Sequence, residues 1–294
     1  MKAIIQICGS QHKKSELEFI DELLFLKICG KMMISYYFDF LYQLGIKEVY
    51  IASSNTQALE EKIKSPETLN LNIKYIHSST SVKSYVDKFE QFKNEELIII
   101  ENFGFITNNF NTIDSNFFEN SQNCCFIDND FKIYYIKNHV KSIYMYPFEQ
   151  KFYLDVKQIN TIDDYCLITN LILKKLNELF FLKGYSNEKG IVIGKNVEIE
   201  EECLLFAPLI IMDNVKVCKG STLGPNTVLD QNVFIEQNCT ISESVVYTDT
   251  YVNKNLKLDY KIILSNLIVD KNNKKVYNID TKFVSMNSIS LLNF

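Results

Sequence analysis

The chain has 294 residues, a formal net charge of −5, an apolar content of 47% and eight cysteines. That length and apolar content suit one large or two ordinary domains with extensive cores. The cysteines form no C-x-x-C pair and have no histidine at zinc spacing, so they read as core-filling thiols of a reducing compartment.

The first half alternates strand and helix signals. Residues 3–7 read as a strand, and the apolar-periodic stretch 32–44 as a helix that stops at Gly45. Strands follow at 48–53, 72–76 and 96–101, with helices at 56–64 and 81–92 between them. Repeated strand-helix units predict a mostly parallel, twisted sheet covered on both faces. Ligands of such sheets gather at the carboxyl ends of the strands, here the loops after Ile7 and after Glu101. Short strands are expected around 124–127 and 131–136. The adjacent Cys124 and Cys125 beside Phe126 and Ile127 fit a buried strand better than a redox pair.

A helix is expected over 161–181, capped by Thr161 with Asp164 three residues on. Its apolar run is interrupted by Lys174, Lys175, Asn177 and Glu178, and no other stretch reaches the length of a membrane span. Residues 1–7 are too short an apolar run for a secretory leader, so a cytoplasmic location without a membrane span is the expectation.

After a link at 184–190 the pattern changes. Ile193, Ile199, Leu205, Ile211, Val217, Leu223, Leu229, Ile235, Ile241 and Tyr247 recur at every sixth position, and four residues after each stands Val197, Cys203, Leu209, Val215, Ser221, Thr227, Val233, Cys239, Val245 or Tyr251. A period of six is neither helical nor simple strand alternation. It predicts a parallel β-helix, three hexads to a coil, with one apolar column inside. The stretch carries Lys195, Lys216 and Lys219 against nine carboxylates, which makes it a poor nucleic-acid surface. Beyond it, 262–270 and 276–280 flank a polar turn at 271–275 and read as antiparallel strands. The expected domains are thus an α/β domain over 1–183 and the repeat domain over 191–294.

Several motifs carry a family resemblance. Gly30-Lys31-Met32-Met33-Ile34-Ser35-Tyr36 resembles "GKPMIEY", Leu44 to Ile51 resembles "LGIKEVYI", and Thr161-Ile162-Asp163-Asp164-Tyr165 resembles "TPEDY". In this order, and with hexads following, they resemble the sugar-1-phosphate nucleotidyltransferases of the mannose-1-phosphate guanylyltransferase kind. The tail over 255–280 is similar to the hairpin that closes the prism in bacterial members from surface-polysaccharide pathways. The resemblance implies a Rossmann-like nucleotidyltransferase domain followed by a left-handed parallel β-helix of hexapeptide repeats. For an active member it also implies Mg²⁺ as cofactor and transfer of a nucleotide from an NTP to a sugar 1-phosphate.

The reaction rests on positioning and on neutralising phosphate charge, and the groups the family uses for this are altered here. Its G-x-G-T-R loop falls on Gly9-Ser10-Gln11-His12-Lys13. Gln11 places a Cβ where the phosphate approaches, and Lys13 keeps charge without the bidentate fork. The Pro-Lys pair falls on Glu22-Leu23. The first metal Asp falls on Phe103 or Gly104, the second on Gln158, with Asp155 three residues earlier. The segment between these positions is shorter than the family's sugar-binding lobe.

Two readings follow. In the first, the chain is a degenerate, inactive homologue whose loop Gly9, Ser10, Gln11 and Lys13 faces a nucleotide or nucleotide-sugar ligand. It then serves as a binding, regulatory or scaffold subunit, self-associating or pairing with an active homologue. In the second it remains active with relocated groups, Lys13 or Lys31 as phosphate cation and Glu101 with Asp155 for metal. An acyltransferase of the hexapeptide type is disfavoured, because His12, His77 and His139 all lie outside the repeats.

Overall fold

The computed structural model describes residues 1–7, 24–63, 71–78, 92, 95–101, 104–106, 123–128, 131–137, 150–153, 156–176, 185–264, 267–278 and 283–284. The chain divides into two compact units, Met1–Leu26 with Met32–Asn160, and Lys27–Lys31 with Thr161–Phe294. This division differs from the expected domains 1–183 and 191–294, because the helix after Thr161 goes with the repeats. The expected helix over 81–92 lies outside the described residues save for Phe92.

The first unit is a mixed α/β assembly around a seven-stranded sheet, in the order Gln150–Tyr153, Cys124–Asp128, Phe131–Ile136, Leu97–Glu101, Lys2–Ile7, Glu48–Ser53 and Asn72–His77. Neighbours run parallel except around Phe131–Ile136, which is antiparallel to both of its partners. Leu97, Ile98, Ile99 and Ile100 are all fully buried, as an unbroken apolar run in a sheet covered on both faces requires. Helix Met33–Gln43 buries Met33, Ile34, Tyr37, Phe38, Phe40 and Leu41. It ends where the sequence indicates. Gly45 takes φ +75°, its N–H donates to the Tyr42 carbonyl at 2.9 Å, and the Ile46 N–H donates to that of Leu41 at 3.0 Å. That pair of bonds is a Schellman cap, which needs a residue at ease in the left-handed region.

The second unit is dominated by parallel strands. The chain visits three ladders in turn and returns to the first eighteen residues on, an arrangement compatible with a β-helix. The first ladder holds Ile191–Ile193, Leu209–Ile211, Thr227–Leu229, Val245–Val246 and Lys261–Ile263. The second holds Glu198–Ile199, Lys216–Val217, Phe234–Ile235, Tyr251–Val252 and Phe283–Val284. The third holds Leu204–Leu205, Thr222–Leu223, Thr240–Ser242 and Lys257–Asp259. The hexad residues from Ile211 to Ile241 are fully buried in the column between them. Corners are turned by residues of positive φ, stacked in register. Along one corner Asn196, Asn214, Asn232 and Asp249 pass a hydrogen bond from each amide to the next side chain at 2.9, 3.0 and 2.9 Å. Asn recurs there because its short polar side chain tolerates the left-handed region and can bond its neighbour.

The regular spacing does not persist to Tyr247. Leu229 pairs with Val246, seventeen residues on, so the fourth coil is entered one residue early. Val246 and Val252 take the inward positions expected of Tyr247 and of the next hexad, and Ser244 and Thr250 replace Val245 and Tyr251 in the companion column. Tyr251 lies on the outside, its ring stacked on Phe234 at 5.2 Å and its hydroxyl bonded to Glu236, which pushes the phenol up to about 12.

The outer face of the first ladder is as apolar as its inner face. Val192, Ile210, Val228, Val245 and Ile262 are all buried there. The short segment Lys27–Lys31 lies beside this ladder, and helix Ile162–Lys174 packs on that segment, its Thr169 carbonyl accepting from the Cys29 thiol at 3.9 Å. A capping box starts the helix, Thr161 Oγ1 accepting from the Asp164 N–H at 3.1 Å and Asp164 accepting from the Thr161 N–H at 3.0 Å. The hydroxyls of Tyr165 and Tyr247 both donate to the Lys27 carbonyl, at 3.1 and 3.0 Å. Lys27 Nζ meets Asp230 at 2.9 Å, with the Asp230 side chain 2% exposed and that of Lys27 24% exposed. Gly30, at φ +75°, lets the segment lie against Met212, whose Cγ would stand 2.7 Å from any added Cβ.

Candidate functional site

The strand ends expected to hold a ligand lie in the first unit. Glu101 closes strand Leu97–Glu101, in register with Gln6 on one side and Lys132 on the other. Four residues on, Phe105–Ile106 pairs antiparallel with Val156–Lys157, with Ile106 opposite Val156 and Phe105 opposite Lys157. The next position of that ladder sets Gly104 opposite Gln158. A Cβ added to Gly104 would lie 3.2 Å from Gln158 Nε2, so the two positions adjoin in space. These are the two positions at which the family resemblance places its metal-holding aspartates, Gly104 being one of the two alternatives for the first. Neither residue carries a charge, and the other alternative for the first position, Phe103, lies outside the described residues.

Gly104 is also sealed by its surroundings. The Tyr37 hydroxyl, carried on helix Met33–Gln43, accepts from the Gly104 N–H at 3.0 Å and donates to its carbonyl at 2.5 Å. Burial pushes this phenol well above its ordinary range, with the Gly104 bond opposing the shift. Tyr36 meets Phe105 edge-on at 5.2 Å, and Tyr37 packs near Phe131 at 6.2 Å. Any side chain at residue 104 would place its Cβ 2.3 Å from Val156 Cγ1, inside van der Waals contact with a stiff β-branched residue. Mg²⁺ takes oxygen ligands, carboxylates foremost. A glycine and a neutral amide do not fit it, and among the described residues no group of three or more His, Cys, Asp or Glu gathers to hold a metal ion.

The other expected site residues divide into two kinds. Gly9, Ser10, Gln11 and Lys13 of the altered loop, Glu22 and Leu23, and the metal candidate Asp155 lie outside the described residues, as do His12 and His139. Lys31 is described and belongs to the second unit. It is 7% exposed, and burial pushes its ammonium down to about 7. Burial of this kind disfavours the charged form of the ammonium. His77 ends its strand exposed to solvent.

Sequence reasoning missed Tyr37. The helical period marks it as a core position, but nothing in the pattern says that its hydroxyl closes on Gly104. Of the described cysteines five are buried, while Cys166 and Cys203 are half-buried. Cys29, Cys124, Cys125, Cys166, Cys203, Cys218 and Cys239 are free thiols, and burial pushes Cys124 up to about 12, far from a reactive thiolate. No helix among the described residues is long and apolar enough to cross a membrane. Comparison of the chain with known protein families and with curated proteins finds no match.

Proposed function

We infer that this chain is a catalytically silent homologue of the sugar-1-phosphate nucleotidyltransferases. In this reading the first unit keeps the Rossmann-like nucleotidyltransferase scaffold and the second is a left-handed β-helix. The protein serves in the cytoplasm as a nucleotide- or sugar-nucleotide-binding, regulatory or scaffold subunit of sugar-nucleotide or surface-polysaccharide metabolism, self-associating or paired with an active homologue.

The observation that supports this most is the facing pair Gly104 and Gln158. Nucleotidyl transfer needs a divalent ion to neutralise charge at the reacting phosphate, and the two positions that would hold it carry no anion. The burial of Lys31, 7% exposed, weighs against its use as a relocated phosphate cation. The test is Mg²⁺-dependent release of pyrophosphate from each NTP with a panel of sugar 1-phosphates, using the intact chain. No release above the protein-free control is expected. Sustained turnover with any pair would establish the active reading instead.

A further inference from the structure

Among the described residues, two of the three ladders of the repeat stack are extended at one end and one of the three at the other. At the far end two ladders are extended, Leu267–Asp270 adding antiparallel to Lys261–Ile263 and Phe283–Val284 adding parallel to Tyr251–Val252, while Lys257–Asp259 ends the third. At the near end only the first ladder is continued, by Ser186–Glu188 against Ile191–Ile193. Among the described residues, Glu198–Ile199 and Leu204–Leu205 are the terminal strands of the other two ladders, each paired on one side alone. The apolar column is unfinished at the same place. Val197, Ile199, Cys203 and Leu205 are only partly buried, whereas their counterparts one coil on, Val215, Val217 and Leu223, are buried. Leu204 and Phe206 lie beside them at 56% and 48% exposure.

Charge surrounds this end. Glu198 and Glu200 reach Lys216 on the next coil at 3.1 and 4.0 Å. Glu201 and Glu202, at the corner between the two open strands, are exposed and make no ion pair among the described residues. Open strand edges invite another strand, the unfinished column offers apolar contact to alternate side chains, and the carboxylates favour cations on that strand.

We propose that this first coil docks an extended segment of another protein in which apolar residues alternate with lysine or arginine. A second copy of the chain fits poorly. Twofold pairing through the same edges brings Glu201 and Glu202 against their own equivalents, and head-to-tail stacking meets the added strands Leu267–Asp270 and Phe283–Val284 on two of the three ladders. The inference stands on the repeat unit alone and does not depend on the reading of the nucleotide positions.

The test titrates the intact chain calorimetrically with three short blocked peptides, one alternating Lys and Val, one alternating Glu and Val, and the Lys-Val peptide with a central proline that removes a strand hydrogen bond. The Lys-Val peptide is expected to bind, and the other two to bind about tenfold more weakly or not at all. The double variant Glu201→Lys, Glu202→Lys is expected to lose about tenfold in affinity for the Lys-Val peptide while keeping its circular dichroism. Absence of Lys-Val binding at millimolar concentration would overturn the proposal, and so would equal binding of the proline peptide, which signals charge attraction without strand pairing. A two-chain mass in sedimentation that Phe206→Lys reduces to one chain would assign the open end to self-association and overturn it as well.

Discussion

Gly104→Asp is expected to lower the stability of the protein by about 2–3 kcal/mol, in the range of overpacked cores, and to confer no affinity for Mg²⁺. The new Cβ would sit 2.3 Å from Val156 Cγ1, and making room for it disturbs the Tyr37 hydroxyl that serves both backbone groups of Gly104. Gln158→Asp is expected to be nearly neutral for folding, because Gln158 is partly exposed and no strand bond depends on its side chain. Urea unfolding of the two single variants and their double, with calorimetric titration of MgCl₂, separates the two effects. If the double variant folded like the parent and bound Mg²⁺, the loss of metal chemistry would lie in two side chains alone. If it unfolds early and stays silent, the backbone and its neighbours have also moved away from a metal-holding shape.

Asp230→Ala is expected to cost about 2–4 kcal/mol, since truncating one partner of a buried ion pair strands the other. The change leaves Lys27 Nζ and the Gln231 N–H without the carboxylate that accepts from both, at 2.9 and 2.7 Å. The expectation stops short of the upper range because Lys27 is a quarter exposed and can turn to water. Asp230→Asn keeps an oxygen for both donors and is expected to cost about 1 kcal/mol or less. The two variants also differ from the parent in pH dependence. Burial raises the Asp230 carboxyl above its ordinary value, and the attraction of Lys27 offsets this only in part. Between the ordinary carboxylate value of about 4 and the raised one, the folded state therefore holds a proton that the unfolded state has released. Stability contributed by this group is greatest at the acid side and declines as pH rises through that window. Asp230→Asn removes the decline, so its deficit against the parent should shrink from pH 4 upward in paired thermal melts. A deficit that widens with pH would mean that Lys27 outweighs desolvation.

Much of the fold was legible because its signals are periodic. The all-apolar run Leu97–Ile100, the helix stop at Gly45 and the Thr161 capping box each follow from local chemistry, and each stands within a residue or two of its expected place. The hexads foretold the ladders through Ile241. They misplaced Tyr247 and Tyr251, because one short coil shifts the register and an aromatic side chain fits a six-residue count as well as a valine does. The cover over the first ladder was not legible either. Val192, Ile210 and Val228 show that both faces of those strands are apolar, but period alone cannot say that Lys27–Lys31 supplies part of the burial, since that segment is remote in sequence. At the candidate site, that residues 104 and 158 carry no anion is plain from the sequence itself. That Gly104 and Gln158 adjoin depends on the pairing of Phe105–Ile106 with Val156–Lys157, and that Tyr37 seals the place depends on helix packing. Neither is a local property.

The most direct measurement is anomalous diffraction from crystals of the intact chain soaked in MnCl₂ with an NTP, since Mn²⁺ occupies Mg²⁺ sites and is seen by its own scattering. No anomalous peak within ligand distance of Gly104 and Gln158 is expected. A peak there, held by protein oxygens and a nucleotide phosphate, would contradict the loss of metal chemistry on which the reading of this chain rests.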